Sequence, residues 1–245
     1  MTSGVIGIFP GLPMRAAVPR EIYLHPFINL EIMDLKEAVE NNKRIKILAY
    51  SVSDYIEHRM KEVLELIFNK YNNPSMVPPV YTCLKELLIN AVKANFKNIY
   101  FEGYSSKNKS ESVIDYELAL KLFKLELSRE NAQHMENLAR KFDMKAEVVI
   151  HAVDGNLNIS VMNPVEMTER EKENVRYKLK CAMKYNDITE YFAEFDMAGE
   201  SSEEGAGLGI ILITMMLRNM GGSNNDFMIT SENNRTTAFL RIPLK

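Results

Sequence analysis

Apolar residues recur at every third or fourth position in several stretches of the chain, which is the spacing of one face of an α-helix. Five segments show this spacing: 29–41, 53–72, 80–96, 114–142 and 168–184, while 210–217 is apolar at nearly every position and predicts a buried helix. Ser53 and Thr168 stand at two of the starts and carry side-chain oxygens that can accept a hydrogen bond from the first free N–H groups of a helix. The pattern therefore predicts amphipathic helices that each bury one face.

Runs of strand-forming residues around polar turns mark two hairpins in the second half of the chain. Residues 146–153 and 157–161 flank Asp154-Gly155-Asn156, a strong turn signal, and Leu157, Ile159 and Val161 would share one face of a strand. Residues 227–231 and 236–242 repeat the arrangement around a second polar turn. Together with a short apolar run at 45–50, the pattern predicts five strands.

Length and charge limit the possible functions only broadly. The 245 residues suit one large domain or two small ones, and 46% hydrophobic content is enough for a full core. The net charge is −3 and the two signs are interspersed, so no nucleic acid is expected as a partner. No segment is long and apolar enough for a membrane span, and Cys83 and Cys181 lack metal-ligand spacing. A cytoplasmic protein with buried thiols is the expectation.

The most distinctive stretch has glycines at alternate positions, 205, 207 and 209, before an apolar helix. Glycine lets a ligand approach the backbone closely, and the free N–H groups at a helix start favour an anion. A dinucleotide fold needs G-x-G-x-x-G after a strand, whereas here the third glycine comes one place early and an acidic stretch precedes it. No Gly-Lys-Ser/Thr follows, which excludes a phosphate-loop NTPase.

A second candidate lies on the polar side of the helix predicted at 80–96. Glu86, Asn90, Lys93 and Lys97 follow one another at intervals of three or four residues, so they share one helix face. Such a face is commonly solvated surface, and the spacing alone does not distinguish that interpretation from a binding site.

The order of these features resembles the histidine-kinase and Hsp90-like ATPase superfamily (GHKL). The resemblance rests on E-x-x-x-N in a helix, a hairpin, a long polar span, E-G-A-G-L-G-I, and a last hairpin containing T-T-A-F-L-R-I-P. It implies an α/β fold of the α+β two-layer sandwich type, with a mixed, mostly antiparallel sheet covered on one face by helices. The implied organisation is an arm and helix at 1–44 and an ATP-binding domain at 45–245, with a helical insertion at 107–145 and an ATP-lid region at 164–204.

By this resemblance, the phosphate side of the site comes from two segments. Glu86 matches the general base of the ATPase and serine-kinase branches, where classical histidine kinases usually have asparagine. Asn90 matches the asparagine that holds Mg²⁺, and Lys93 matches a position that reaches the phosphates. The backbone of the glycine box adds further phosphate contacts, with Gly205, Gly207, Leu208 and Gly209 as its residues.

The adenine side departs from the family pattern. The resemblance implies that Asn163 and Thr236 read adenine, but the family has D-x-G-x-G where this chain has Asn163-Pro164-Val165-Glu166-Met167. An asparagine oxygen can accept the adenine amino proton without the charge of a carboxylate, a difference of about 1 kcal/mol. Val165 and Met167 replace both glycines and would crowd the base.

The expected function is therefore that of a cytoplasmic ATP-binding protein in signalling or regulation, with ATP and Mg²⁺ as cofactors. It would hydrolyse ATP or phosphorylate a protein partner, and it could form a homodimer. Two alternatives stay open: a degenerate GHKL fold that serves as a protein-interaction module without catalysis, and a histidine-kinase core that phosphorylates an external protein.

Overall fold

The computed structural model describes five parts of the chain: residues 22–24, 32–107, 132–185, 189–190 and 208–244. Gly205 and Gly207 lie outside the described residues, as do residues 1–21 of the predicted arm. Residues 108–131, most of the predicted helical insertion, also lie outside them.

The strands form one six-stranded sheet. They are β1 (Ile22–Leu24), β2 (Ile45–Ala49), β3 (Ala146–Val153), β4 (Asn156–Asn163), β5 (Phe227–Glu232) and β6 (Arg235–Pro243). The strand order is β1-β2-β3-β4-β6-β5, in which β1 and β2 are parallel and every other pair is antiparallel. The predicted mixed, mostly antiparallel sheet is confirmed, and β1 adds an edge strand to the five strands that the pattern predicts.

Six α-helices accompany the sheet in the described part of the chain. They are α1 (Ile32–Glu40), α2 (Asp54–Lys70), α3 (Val77–Lys107), α4 (Ala132–Lys141), α5 (Glu169–Lys184) and α6 (Leu208–Asn219). The Ser53 hydroxyl accepts from Ile56 N at 3.4 Å, and Thr168 and Glu171 form a reciprocal capping box. Helix α3 begins before the predicted residue 80, because proline is tolerated in a first turn whose N–H groups have no partner within the helix.

Both predicted hairpins are present, and their turns have the backbone twist that tight hairpins favour. Asp154 and Gly155 have φ of 51° and 71° between β3 and β4, while Asn233 and Asn234 have φ of 54° and 58° between β5 and β6. Asparagine, aspartate and glycine tolerate positive φ at little cost, so these residues close the turns.

The core lies between one face of the sheet and the helices. Alternate residues of β2, β3 and β4 are buried, and α3 packs across β3 and β4. The largest fully buried side chains are Phe68, Leu35, Ile45, Ile47, Met60, Leu64, Ile67, Leu84, Leu88, Ile150 and Leu157. The predicted two-layer α+β sandwich is confirmed. No helix in the described part of the chain is long and apolar enough to cross a bilayer.

Helix α1 packs into this same core. Its Leu35, Ala38 and Val39 are buried, and Lys70 at the end of α2 donates to the carbonyl oxygens of Val39 and Glu40 at 2.9 and 2.8 Å. The described part of the 1–44 segment is thus joined to the sandwich by both apolar and polar contacts.

The end of α6 provides a stability prediction at Gly222. A Cβ added there would lie 2.6 Å from Leu217 Cδ1 and 3.1 Å from the Leu217 carbonyl oxygen, and Leu217 is buried. We expect Gly222→Ala to lower the free energy of unfolding in urea by about 1–3 kcal/mol, because the crowded side chain must leave its rotamer. Gly221 has φ of 84° and no atom near an added Cβ, so Gly221→Asn, which brings only the backbone strain that asparagine tolerates best, is the control and should cost less than Gly222→Ala. Equal effects of the two substitutions would contradict the prediction.

Candidate functional site

The predicted polar face of α3 is present, but its residues have different environments. Glu86 is half-buried, whereas Asn90 and Lys93 are exposed. Lys97 is half-buried and donates to Glu171 of α5 at 2.7 Å. The end of the face at Lys97 is therefore occupied by a contact between α3 and α5. Glu86, Asn90 and Lys93 form the part that a ligand could reach.

Gly209, the last glycine of the alternating series, lies against this face. An ideal Cβ built on Gly209 would lie 2.9 Å from Glu86 Oε2 and 3.7 Å from Asn90 Nδ2. The ends of both side chains thus lie near one point at the first turn of α6. Only glycine fits without displacing the carboxylate, since real Cβ contacts are essentially never this short.

This arrangement has a defined electrostatic character. The start of α6 presents N–H groups and the positive end of the helix dipole, and the Glu86 carboxylate lies beside it. Lys93 adds an exposed ammonium group on the same face of α3. A phosphate group would be attracted by the helix start and Lys93 and repelled by Glu86, so a cation between carboxylate and phosphate would relieve the repulsion.

The side-chain oxygens present fit a Mg²⁺ ion that is shared with substrate phosphates better than a metal site in which the protein supplies every ligand. Within the described ranges, no group of three or more histidine, cysteine, aspartate or glutamate side chains could hold a metal ion. Mg²⁺ commonly keeps several waters and binds one or two protein oxygens together with substrate phosphates. The exposed Asn90 amide, with the Glu86 carboxylate nearby, matches that kind of site.

A second polar group lies where β4 ends. Asn163 pairs with Thr236 of β6, and Thr236 pairs with Ser231 of β5, so the three side chains form one row on one face of the sheet. Asn163 is only 3% exposed, and its Nδ2 has no hydrogen-bond acceptor among the described residues. This orphaned donor is unusual, because buried polar groups are nearly always paired.

The hydroxyls of this row hold the segment that follows β4. Met167 N donates to Ser231 Oγ at 2.7 Å, Ser231 Oγ lies 3.0 Å from Thr236 Oγ1, and Thr236 Oγ1 donates to the Val165 carbonyl oxygen at 2.7 Å. The Thr236 hydroxyl has one proton and donates it to the hydrogen bond with Val165. Ser231 is therefore the donor in the hydrogen bond between Ser231 and Thr236. We call this chain of bonds the hydroxyl relay. The proton of Thr236, a predicted adenine contact, is therefore already used within the protein.

The hydroxyl relay predicts a measurable cost at Ser231. We expect Ser231→Ala to lower the free energy of unfolding in urea by about 1 kcal/mol, because the half-buried Met167 N–H loses its acceptor. Ser160 of β4 is the matched control, a half-buried strand serine with no side-chain hydrogen bond within the described part of the chain. A loss no larger than that of Ser160→Ala would show that the relay adds no stability.

Helix α5, in the predicted lid region, is held at both ends. Glu171 in its first turn accepts from Lys97, and Arg218 of α6 donates to the carbonyl oxygens of Ala182 and Tyr185 at 2.6 and 2.7 Å. Burial pushes the pKa of Glu171 up, but hydrogen bonds from Lys97 and Thr168 outweigh burial and hold that pKa below its ordinary 4.5. The ionised Glu171 carboxylate therefore stabilises the folded protein above about pH 4.5. This stabilisation is lost as the pH falls through the lowered pKa of Glu171.

The predicted free thiols are confirmed in part. Cys83 is buried in α3, and burial raises the pKa of its thiol to about 12, so it stays protonated at neutral pH. Cys181 is also free, but it is only half-buried.

The sequence prediction missed Ser231 and Glu171. Ser231 could have been found, because it and Thr236 are equally far from the centre of the predicted hairpin turn. Glu171 could have been found as the capping partner of Thr168 from the T-x-x-E spacing, but its contact with Lys97 could not, because it joins residues 74 positions apart.

A curated protein of a bacterium is similar to most of this chain. A protein of Treponema pallidum (strain Nichols), whose description is "Uncharacterized protein", is 27% identical over 229 residues. The match covers 91% of this chain and 43% of the relative, so the chain spans less than half the length of that protein. No family model matches the chain, and no solved structure matches it.

Proposed function

We propose that this chain binds Mg-ATP between α3 and the start of α6. The observation that carries the proposal is the position of Gly209, whose added Cβ would contact Glu86 and approach Asn90. Gly209 and the E-x-x-x-N residues are about 120 positions apart in the sequence, yet they lie side by side, next to helix-start N–H groups that favour a phosphate group. The GHKL resemblance stated above supports the same assignment.

Each residue has a distinct role in this proposal. Asn90 provides an oxygen to the magnesium ion, and Lys93 approaches the phosphates from the exposed side of α3. The N–H groups of Leu208 and Gly209, at the start of α6, would donate hydrogen bonds to phosphate oxygens. Gly205 and Gly207 complete the phosphate loop in this proposal.

Glu86 is the proposed general base. Its carboxylate accepts the proton of an attacking water or of a hydroxyl on a protein partner, and an amide at this position could not do so. The half-buried position next to Gly209 limits the freedom of the carboxylate and keeps it at the phosphate end of the site. Bound Mg-ATP would supply the phosphoryl group, and the products would be ADP with phosphate or with a phosphorylated partner.

The biological role proposed is regulatory signalling in the cytoplasm through a protein partner. One observation favours the alternative of an interaction module without catalysis. Val165 and Met167, which occupy the positions of the family's glycines, are fixed to the last hairpin by the hydroxyl relay. In that alternative, Val165 and Met167 are the residues that would keep the adenine base out of the site.

Calorimetric titration of Mg-ATP into the full chain tests the proposal. We expect saturable binding that weakens when EDTA removes the magnesium ion, because Asn90 would hold the nucleotide only through that ion. Absence of binding at millimolar Mg-ATP would overturn the proposal and favour the interaction module. Binding without phosphate release, with or without a partner protein, would retain the nucleotide site and reject the catalytic role of Glu86.

A further inference from the structure

Helices α5 and α6 share a small apolar contact that is separate from the main core. Its buried residues are Ala182, Ile211 and Met215, and the half-buried Cys181, Tyr185 and Leu208 pack against them. We call these six residues the α5–α6 cluster. Because Leu208 is the first residue of α6, the cluster lies at the helix start that carries the proposed phosphate contacts.

The first residue of α6 is held by this cluster and not by the main core. Leu208, Ile211 and Met215 lie three and four positions apart, so they share one face of α6, and this face packs against α5. The residues of α6 that belong to the main core begin at Ile210, and Leu208 packs in no other apolar cluster of the described part of the chain. Helix ends open most easily, so the contact with α5 is what fixes this first turn.

Arg218 fastens the end of α5 to the same contact. Its Nη2 donates to the carbonyl oxygens of Ala182 and Tyr185 at 2.6 and 2.7 Å, and Ala182 is also a buried residue of the α5–α6 cluster. The last carbonyl groups of a helix have no partner within the helix and form the negative end of its dipole, so a guanidinium group stabilises them. Loss of Arg218 would therefore loosen the turn of α5 that packs against α6.

We propose that Arg218 is a positioning residue for the phosphate side of the site, because it keeps α5 on α6 and thereby fixes the N–H groups of Leu208 and Gly209. This inference rests on the proposed Mg-ATP site. Arg218 lies ten positions after Leu208, about 15 Å along the helix, so it acts through α5 rather than by contact with the nucleotide. A helix start that is already held in place presents its N–H groups to a phosphate without the cost of ordering them first.

Cys181 provides a direct readout of this contact in the nucleotide-free protein. Its thiol is half-buried in the α5–α6 cluster, whereas burial raises the pKa of the Cys83 thiol to about 12 and keeps it unreactive. We expect Arg218→Met to raise the labelling rate of Cys181 by a thiol reagent about tenfold, because α5 opens more often. Mg-ATP at saturation should slow this labelling about threefold in the wild-type protein, since a ligand that needs the held helix start also favours it.

Nucleotide affinity tests the consequence for the site. Calorimetry should show Mg-ATP bound about tenfold more weakly to Arg218→Met, with a smaller loss in Arg218→Lys, which keeps a positive charge at the two carbonyl groups. Arg176→Met is the matched control, because Arg176 is an exposed arginine of α5, and it should change neither the labelling rate nor the affinity. A cooperative transition in urea shows that each variant is folded.

The outcomes separate this inference from the proposed function. If Mg-ATP binds equally well to the wild-type protein and to a folded Arg218→Met, the inference is overturned and the nucleotide site stands, whatever the labelling rate. Mg-ATP that binds to the wild-type protein without slowing the labelling of Cys181 would also overturn it, and that comparison needs no variant. If the wild-type protein binds no Mg-ATP, the proposed function fails and the positioning role fails with it.

Discussion

Asn90→Ala is expected to weaken Mg-ATP binding about 100-fold or more. Asn90 is exposed on α3, and its amide lies at the point where the start of α6 meets that helix. Removal of the amide takes away a protein oxygen that we assign to the magnesium ion, and loss of ligand-shell contacts commonly costs factors of this size. Calorimetry in the presence of Mg²⁺ measures the change, and the same titration in EDTA should show a much smaller difference between the two proteins.

Asn69→Ala is the matched control for this substitution. Asn69 is also an exposed helical asparagine, on α2, and its removal should leave Mg-ATP affinity within about twofold of wild type. Unfolding in urea should give similar free energies for the two variants, because each loses only an exposed side chain. Equal nucleotide affinity in Asn90→Ala and Asn69→Ala would reject Asn90 as a ligand.

Glu86→Gln is expected to lower the rate of phosphate release, or of transfer to a partner, by a factor of about 10² to 10⁴ while Mg-ATP still binds. Glutamine has nearly the shape of glutamate, so it keeps the contact with Gly209, but it cannot accept a proton at this position. General-base contributions fall in this range. Affinity should be retained or slightly raised, because the neutral side chain no longer repels the phosphates.

Two control measurements distinguish a catalytic role of Glu86 from a loss of nucleotide binding. Calorimetry of Glu86→Gln must show Mg-ATP binding, since lost binding would indicate a role other than catalysis. Glu65→Gln is the control, because Glu65 is an exposed glutamate of α2, and it should retain the wild-type rate. If Glu86→Gln and wild type release phosphate at the same rate, Glu86 is not the base.

The local features of the fold could be predicted because adjacent residues determine them. Ser53 and Thr168 provide the first hydrogen bonds of α2 and α5, and their position before an apolar periodic stretch identifies them in the sequence. Asp154-Gly155 has the positive φ values that a tight hairpin turn needs. Those turns fix the register of the flanking strands, so the pairing of Ser231 with Thr236 was also available from the sequence.

The contacts between distant segments could not be predicted from spacing. The approach of Gly209 to Glu86 depends on how α6 packs against α3, and the sequence shows only that each segment is suitable for a site. The Lys97 side chain appeared to belong to that site, but it pairs with Glu171 because α5 packs nearby. The Thr236 hydroxyl donates to the Val165 carbonyl oxygen, a contact between residues 71 positions apart that spacing does not show.

The most direct test of the central claim is a structure of the full chain with Mg²⁺ and a non-hydrolysable ATP analogue. We predict the magnesium ion at about 2.1 Å from Asn90 Oδ1, with the terminal phosphates at the N–H groups of Leu208 and Gly209 and the Glu86 carboxylate facing the last phosphate. A nucleotide bound away from the contact of α3 with the start of α6, or no bound nucleotide at millimolar concentration, would contradict the account.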